Sequence, residues 1–300
     1  MAERVLIAGA SGMIGTALAA QLRDAGAEVH TLVRGIARTT TEHAWDPASG
    51  RVPQEVIDRA DAVVGLSGAS LSRLPWTPGY RRTILRSRID TTATLAAAIT
   101  RSATPPRVWV NASAVGFYGR VPGDRPFDES SPQGEGFLAG VVGEWEDAAR
   151  PASDATRLVF ARTGVVLGPE GAVKPLALAA RLGVGTTFGT GNQRWPWVAL
   201  EDEARAIRHA IDTEAISGPM NIVAPAHDTA ADVSRAIAAA LHRPSWLRVP
   251  GPLAHTLLGT AADEMLLGDQ PVAPRVLEQT GFRYAQPRLA DAAARAVRRA

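Results

Sequence analysis

The stretch RVLIAGASGMIG, residues 4–15, decides the fold. Arg4 to Ala8 is a β-rich apolar run. Met13 to Ala25 carries Ile14, Ala17, Leu18 and Leu22 on a helical period, with Gly26 just past its end. Between the two runs stand Gly9, Gly12 and Gly15. Gly9 permits a tight turn, Gly12 lets the backbone approach a pyrophosphate, and Gly15 lets the helix pack closely on the strand. The start of the helix offers free N–H groups and the positive end of its dipole to the phosphates. A merely structural glycine turn is the plainer alternative, but strand–turn–helix is the context that dinucleotide binding needs. Arg4 followed by an apolar run also imitates an export signal. The regularly spaced glycines interrupt that run, so a leader is not expected.

Glu28 to Val33 reads as a second strand, which completes a β–turn–α–β unit within 34 residues. The strand ends Thr31-Leu32-Val33-Arg34, with Arg38 shortly after and no carboxylate to bond a ribose 2′-hydroxyl. A guanidinium grips a 2′-phosphate in a fork. The expected cofactor is therefore NADP(H), with Arg34 as its main determinant. The alternative is a solvated arginine in an arginine-rich chain.

Farther along, Ala44 to Pro47 reads as a short strand and Asp61 to Leu66 as a buried strand followed by a turn at Ser67-Gly68-Ala69. Pro78 to Ile99 reads as a helix, Arg107 to Ala112 as a strand, Glu135 to Ala149 as a helix and Thr156 to Ala161 as a strand. Strands alternating with helices imply a parallel sheet covered on both faces. Past residue 170 Pro, Gly and Trp become common. A helix from Asp202 to Ile211, a strand from Pro219 to Val223 and a helix from Ala231 to Leu241 follow. The last fifty residues read as short helices broken at Pro250, Pro252, Gly268, Pro271 and Pro274. The expected fold is α/β: a Rossmann-type doubly wound parallel sheet over residues 1–170, with a smaller, integrated C-terminal α/β substrate-side lobe over 171–300, some segments of which return to the core.

Composition bounds the function. With 46% apolar and 21% charged residues among 300, the chain is globular and not disordered. It has no cysteine, which removes disulfides, thiolate metal sites, iron–sulfur clusters and cysteine nucleophiles, and fits a reducing cytosol. The net charge is only +2, and the pI is high because Lys174 is the single lysine among many arginines. The arginines are scattered, so no nucleic-acid footprint is expected. No run of 18 apolar residues exists, so no membrane span is expected. The histidines at 30, 43, 209, 227, 242 and 255 lack metal-ligand spacing. The expectation is a cytoplasmic protein whose partner is a small molecule.

Several stretches taken together resemble the extended short-chain dehydrogenases/reductases. They are GASGMIG (9–15), VGLSGA (64–69), SRIDTTATL (87–95), NASAVGFYG (111–119), DESSPQGEGFLAGVVGEWE (128–146), RTGVVLGPEGA (162–172), GTGNQRWPWVALED (189–202) and GDQPVAPRVLEQTGF (268–282). The resemblance is to the atypical, epimerase-like branch with a C-terminal domain of unknown function, and it spans essentially the whole chain. It implies the fold, a bound NADP(H) and a pocket between the core and the C-terminal lobe. Gly9, Ser11, Gly12, Met13, Ile14 and Gly15 match the pyrophosphate turn of that family. Leu66, Ser67, Gly68 and Ala69 match the turn bordering adenosine and ribose, and Arg88 stands where many relatives have asparagine. Ser113 matches the active-site serine, Tyr118-Gly119 the aromatic-glycine pair after it, and Arg162 to Gly168 the segment passing the nicotinamide.

One departure is large. Relatives place Tyr-x-x-x-Lys on the helix after the serine; the lysine holds the nicotinamide ribose and lowers the tyrosine pKa. Here those positions read Phe137 and Val141, or Leu138 and Val142 in the neighbouring register. Tyr80, Tyr118 and Tyr284 are followed four residues on by Ile84, Pro122 and Arg288, so the dyad exists nowhere in the chain. A positioned acid–base group contributes about 10²–10⁴-fold, so its loss needs a substitute.

The candidate substitutes are Tyr118 as proton donor, with Ser113 orienting a carbonyl or hydroxyl. The alternatives are an aromatic pocket wall for Tyr118 and a local backbone bond for Ser113. Asp128 and Glu129 read either as proton carriers or as residues that hold a loop. Gln193, Arg194, Trp195 and Trp197 are groups that grip polar, ringed or anionic ligands, although Trp195 and Trp197 also alternate as on one face of a core strand. Trp76 reads as a cover of the pocket mouth or a surface turn, and Gln270 as a cleft residue. The functional expectation is an NADP(H)-dependent oxidoreductase or epimerase-like enzyme acting on a small polar substrate. The alternative is a non-catalytic NADP(H)-binding redox sensor or partner-binding protein.

Overall fold

In the computed structural model, residues 4–120, 125–182 and 185–298 are described. The chain opens β1 (Arg4–Ala8), α1 (Met13–Asp24), β2 (Glu28–Val33), β3 (Glu42–Ala44), α2 (Gln54–Asp58), β4 (Ala62–Gly65), α3 (Pro78–Arg101), β5 (Val108–Ala114), α4 (Phe137–Ala149), β6 (Arg157–Thr163) and β7 (Val165–Leu167). It continues α5 (Val173–Arg181), β8 (Gly185–Phe188), β9 (Trp197–Ala199), α6 (Leu200–Asp212), β10 (Gly218–Ile222), α7 (Ala230–Ala240), β11 (Ser245–Val249), α8 (Gly251–Leu258), α9 (Thr260–Met265), α10 (Arg275–Gln279) and α11 (Leu289–Arg298).

Seven strands form one sheet in the order β10-β6-β5-β4-β1-β2-β3. Every pairing in it is parallel. Strands buried on both faces need apolar runs rather than alternation; β4 reads AVVG and is buried at all four positions. One face packs Leu18 and Leu22 of α1 and Ile207 and Ile211 of α6 over Val5, Ile7, Val64, Val110 and Val159. The other packs Val56 and Ile57 of α2 and Leu95 and Ile99 of α3 over Leu6, Val63, Trp109 and Phe160. This is the Rossmann-type doubly wound sheet expected from the sequence. Its order reverses between β1 and β4, the point at which such sheets bind ligands beyond their carboxyl ends.

A smaller lobe follows from chain segments past residue 164. The parallel pairs β7–β9 and β8–β11 carry α5, α7 and α11 around a second apolar cluster that includes Trp195, Trp197, Val233 and Ala293. α6 and β10 belong instead to the large sheet and its covering helices. Among the described residues no helix is long and apolar enough to cross a membrane.

The turn between β1 and α1 is packed to its limit. A Cβ on Gly15 would lie 2.4 Å from the Gly9 carbonyl oxygen, so only glycine lets α1 start this close to β1. By contrast a Cβ on Gly140, inside α4, would meet nothing within 4 Å. Thermal unfolding of the two alanine variants should therefore move in opposite directions. Gly15→Ala lowers Tm because the turn must open, and Gly140→Ala raises stability by about 1 kcal/mol through helix propensity. A Gly15→Ala protein as stable as the wild type would contradict the close approach.

Candidate functional site

The crevice at the carboxyl ends of β1 and β4 is built from backbone. Gly9 has φ +89°, and a Cβ there would come within 2.8 Å of the Leu66 carbonyl carbon, so the two strand-end turns touch. A Cβ on Gly12 would meet only the Gly9 carbonyl oxygen, at 3.4 Å, so the protein itself leaves room for a side chain there. The free space at Gly12 lies at the start of α1, where no side chain caps the helix and no acidic residue stands in the first turn. An uncapped helix start facing an open crevice is an anion site. Ser11 and Gly12 are exposed, Met13 and Ile14 half-buried and Gly15 buried. The crevice wall is the Leu66–Ala69 turn, fixed by Leu66 N–H on the Ala8 carbonyl and Ala69 N–H on Ser87 Oγ.

Arg88 borders this crevice, and Arg34 follows the neighbouring strand β2. Arg34, just past β2, is exposed and makes no hydrogen bond or ion pair with the described residues. Arg88 reaches from α3 to the exposed Gly68. Its Nη1 donates to the carbonyls of Ala69 and Ile84, and its guanidinium lies 5.0 Å from the Trp145 ring centroid. Burial pulls its pKa down to about 10, so it remains a cation at neutral pH.

The ends of β5 and β6 hold a buried polar network. Arg162 donates through Nε and Nη2 to the two carboxylate oxygens of Glu146, each at 2.8 Å, with side chains only 4% and 1% exposed. Ser113 Oγ donates to the same carboxylate at 2.6 Å. Arg162 Nη1 donates to Tyr118 Oη at 3.0 Å, and that hydroxyl donates to Asn221 Oδ1 at 2.7 Å. The guanidinium lies 3.5 Å from the Phe117 ring centroid. Glu129 accepts the backbone N–H groups of Asn221 and Val276 on one oxygen. Asp128 accepts from Ser130 and Ser131 within its own turn.

These placements differ from the expectation of a free proton donor. Tyr118 is fully buried, its proton is engaged by Asn221, and burial pushes its pKa up to about 12. The Ser113 hydrogen is likewise engaged by Glu146, so toward a ligand its oxygen can only accept. Leu138 and Val142 both face Gly116, just beyond β5, so the second register read from the sequence is the one turned toward the site.

The proposed substrate residues are not gathered in one cleft. Trp197 is fully buried in the small lobe and its indole N–H donates to Asp228. Trp195 is buried in the same cluster. Gln193 donates to the carbonyls of Phe188 and Leu266, which knits a loop. Arg194 forms a two-point ion pair with Asp269 at 2.9 and 2.5 Å, so its charge is neutralised within the lobe. Trp76 packs against Phe137, Ile84, Val141 and Ala261 between α3, α4 and α9. Trp76 is therefore buried and not part of a surface turn. Gln270 donates to the Gly119 carbonyl and ties the small lobe to the segment after β5.

The reading of the sequence singled out neither Glu146 nor Glu203. Both stand on the apolar stripe of their helices: Glu146 with Val142 and Ala149, Glu203 with Ala206, Ile207, Ala210 and Ile211. A carboxylate on such a stripe must be paired or protonated, and that was the available signal. Glu203 is fully buried. Its Oε1 accepts from Thr163 Oγ1 at 2.7 Å and its Oε2 has no partner among the described residues.

Two outcomes follow. Glu146→Gln leaves the Arg162 guanidinium buried without its counter-charge, which costs about 3–5 kcal/mol in urea unfolding; a loss under about 1 kcal/mol would contradict the pairing. Burial pushes the Glu203 carboxyl from 4.5 up to about 8. Between these values the folded chain keeps a proton that the unfolded chain has lost. Its contribution to stability therefore falls as pH rises through that window, by up to about 1.4 kcal/mol per pH unit. Unfolding midpoints of wild type and Glu203→Gln from pH 5 to 9 check this: the variant loses that part of the slope.

Comparisons with known proteins identify the family. The sequence profile of the NAD dependent epimerase/dehydratase family matches residues 5–223, and that of a domain of unknown function, DUF1731, matches residues 249–296. An epimerase family protein of Mycobacterium leprae is 40% identical over 303 residues, covering 98% of this chain and 96% of the relative. The epimerase family protein SDR39U1 of Homo sapiens is 36% identical over 297 residues, covering 96% and 98%. The crystal structure of human SDR39U1 (isoform 2) with NADPH superimposes with a TM-score of 0.89 at 35% identity, covering 98% of this chain and 99% of that one. MoeE5 in complex with UDP-glucuronic acid and NAD, at 21% identity and a TM-score of 0.78, shares the fold. With its profile matched over most of its length and such relatives along nearly all of it, this chain belongs to the NAD dependent epimerase/dehydratase family.

Proposed function

We propose that this protein is an NADP(H)-dependent oxidoreductase or epimerase-like enzyme for a small polar substrate that works without the Tyr-x-x-x-Lys dyad. The observation that carries the reading is the uncapped start of α1 at Gly12, open to the crevice, with Arg34, unpaired among the described residues, at the end of the neighbouring strand. The relative crystallised with NADPH supports the choice of coenzyme. On this reading the backbone of Gly9, Ser11, Gly12, Met13, Ile14 and Gly15 holds the pyrophosphate. Arg34 holds the 2′-phosphate by charge-assisted bonds. Leu66, Ser67, Gly68 and Ala69 border the adenosine, with Arg88 beside them. The nicotinamide, when bound, supplies or accepts a hydride.

The chain's own residues then orient the reactants. Ser113 accepts a hydrogen bond from a substrate hydroxyl while its own hydrogen stays on Glu146. Leu138 and Val142 give an apolar wall where a Tyr-x-x-x-Lys dyad would place a phenol and an ammonium, and this keeps water from the reacting face. Arg162, clamped by Glu146, fixes the floor. The proton comes from the substrate itself, so catalysis rests on positioning and forgoes the roughly 10²–10⁴-fold of a tuned phenol. The engaged hydroxyls of Ser113 and Tyr118 favour a second reading, in which the protein binds NADP(H) and reports its redox state without turnover.

Arg34→Ala tests the coenzyme assignment by equilibrium binding. NADPH affinity should fall at least about tenfold, one charge-assisted contact's worth, with NADH affinity unchanged. Equal weakening of both would reject the role of Arg34.

A further inference from the structure

Glu203, near the start of α6, is buried against the end of β6. Its partner Thr163 is the last residue of β6 and pairs with Ala114 at the end of β5. Thr163 is half-buried and Glu203 is fully buried behind it, so the carboxyl lies one side chain beneath the carboxyl ends of β5 and β6. The start of the same helix abuts the phosphate turn: a Cβ on Gly168 would meet both Met13 of α1 and Leu200 of α6. On the NADP(H) reading the pyrophosphate lies at the end of β1 and the 2′-phosphate at the end of β2. The other half of a dinucleotide therefore runs over β4, β5 and β6.

We infer that Glu203 lets this site tell the oxidised from the reduced coenzyme: it gives up its proton when a cationic nicotinamide ring arrives and keeps it for the neutral, reduced ring. The inference rests on the NADP(H) reading above and deepens it. The charge balance is simple. Protonated Glu203 and free NADP⁺ become a carboxylate beside bound NADP⁺ with one proton released to solvent, while NADPH binding releases none from this group. An opposite charge nearby favours the ionised form of a buried acid, and linkage then makes NADP⁺ affinity rise with pH.

The surroundings leave few competitors for that charge. Around the buried side of α6, α1 contributes Leu18, β5 Val110, β6 Ala161, β7 Val166 and β9 Val198; the polar neighbours are Gln21 of α1, on the Glu201 carbonyl at the helix start, and Arg157 of β6, on the Ala210 and Ile211 carbonyls at its far end. Tyr284, from the segment after α10, interacts with Glu203 electrostatically. Its hydroxyl donates to the Val223 carbonyl, and burial raises its pKa above the ordinary range. On α6 itself, Asp202 accepts the N–H groups of Ala285 and Gln286 and pairs with Arg205, and His209 bonds Thr280. Glu201 pairs with Arg295 at the helix start. Glu129 acts on Tyr284 from the side of β10. Arg162 is adjacent in β6, points to the opposite face of the strand and is neutralised by Glu146. Burial thus favours the protonated form of this carboxyl, and its Oε2 has no partner among the described residues.

The test measures dissociation constants of NADP⁺ and NADPH for the full chain from pH 6.5 to 9. Their ratio cancels the titration of the 2′-phosphate, which both coenzymes carry. In the wild type the preference for NADP⁺ should rise about tenfold from pH 6.5 to 8.5 and then level; in Glu203→Gln it should be flat. A flat ratio in the wild type, or an unchanged rise in the variant, overturns the inference. Should the variant not fold, calorimetry of the wild type in buffers of different ionisation enthalpy decides: NADP⁺ binding at pH 7.5 releases more protons than NADPH binding, and equal counts overturn the inference. Binding of both coenzymes with a flat ratio overturns it alone, whereas binding of neither overturns the NADP(H) reading and this inference together.

Discussion

The backbone of the turn after β1 touches the backbone at the end of β4, and the rest of the site depends on that contact. Gly9 leaves no room for a side chain against Leu66, and Gly15 leaves none against Gly9. Because the turn is so tight, α1 begins directly above the reversal point of the sheet and its first N–H groups face open space. The Leu66–Ala69 turn becomes one wall of that space and brings Arg88 to its rim. A looser turn would let a side chain or a neighbouring loop fill the helix start, and the crevice would close.

A second constraint lies under the ends of β5 and β6. Glu146 and Arg162 are both out of water, and an ion pair in that setting is sustained only by good geometry and further hydrogen bonds. Ser113 and Tyr118 supply those bonds. The two hydroxyls that a sequence reading makes catalytic are, in the fold, the groups that complete the pair's hydrogen bonding. This explains why α4 can carry Leu138 and Val142 on its site-facing positions and still be rigidly placed. Its anchor is Glu146, one turn further along, and at its other end Glu264 of α9 accepts the N–H groups of Phe137 and Leu138. The C-terminal segment is thus joined to the core by charge and hydrogen bonding as well as by apolar contact.

The first 34 residues and six of the seven sheet strands were legible because glycine spacing and apolar runs are local signals; the edge strand β3, expected at Ala44 to Pro47, lies at Glu42–Ala44. The β1–α1–β2 unit and β4, β5, β6 and β10 lie within two residues of their expected bounds. α2, α5, β7, β8 and β11 were not read, because each is nine residues or shorter and sits among Pro and Gly. The side-chain partnerships were invisible for a different reason. Tyr118 meets Asn221 across 103 residues and Arg194 meets Asp269 across 75. A motif that looks like a ligand grip, such as Gln193-Arg194, is locally indistinguishable from one that closes a loop. Burial of Glu203 depends on helix register, which the stripe of Ala206, Ile207, Ala210 and Ile211 does encode.

Titration calorimetry of the purified chain with NADPH and with NADH tests the central claim most directly. The account predicts saturable binding at one site per chain, with NADPH bound at least about tenfold more tightly than NADH. Absence of heat with either coenzyme, from folded protein, would contradict it.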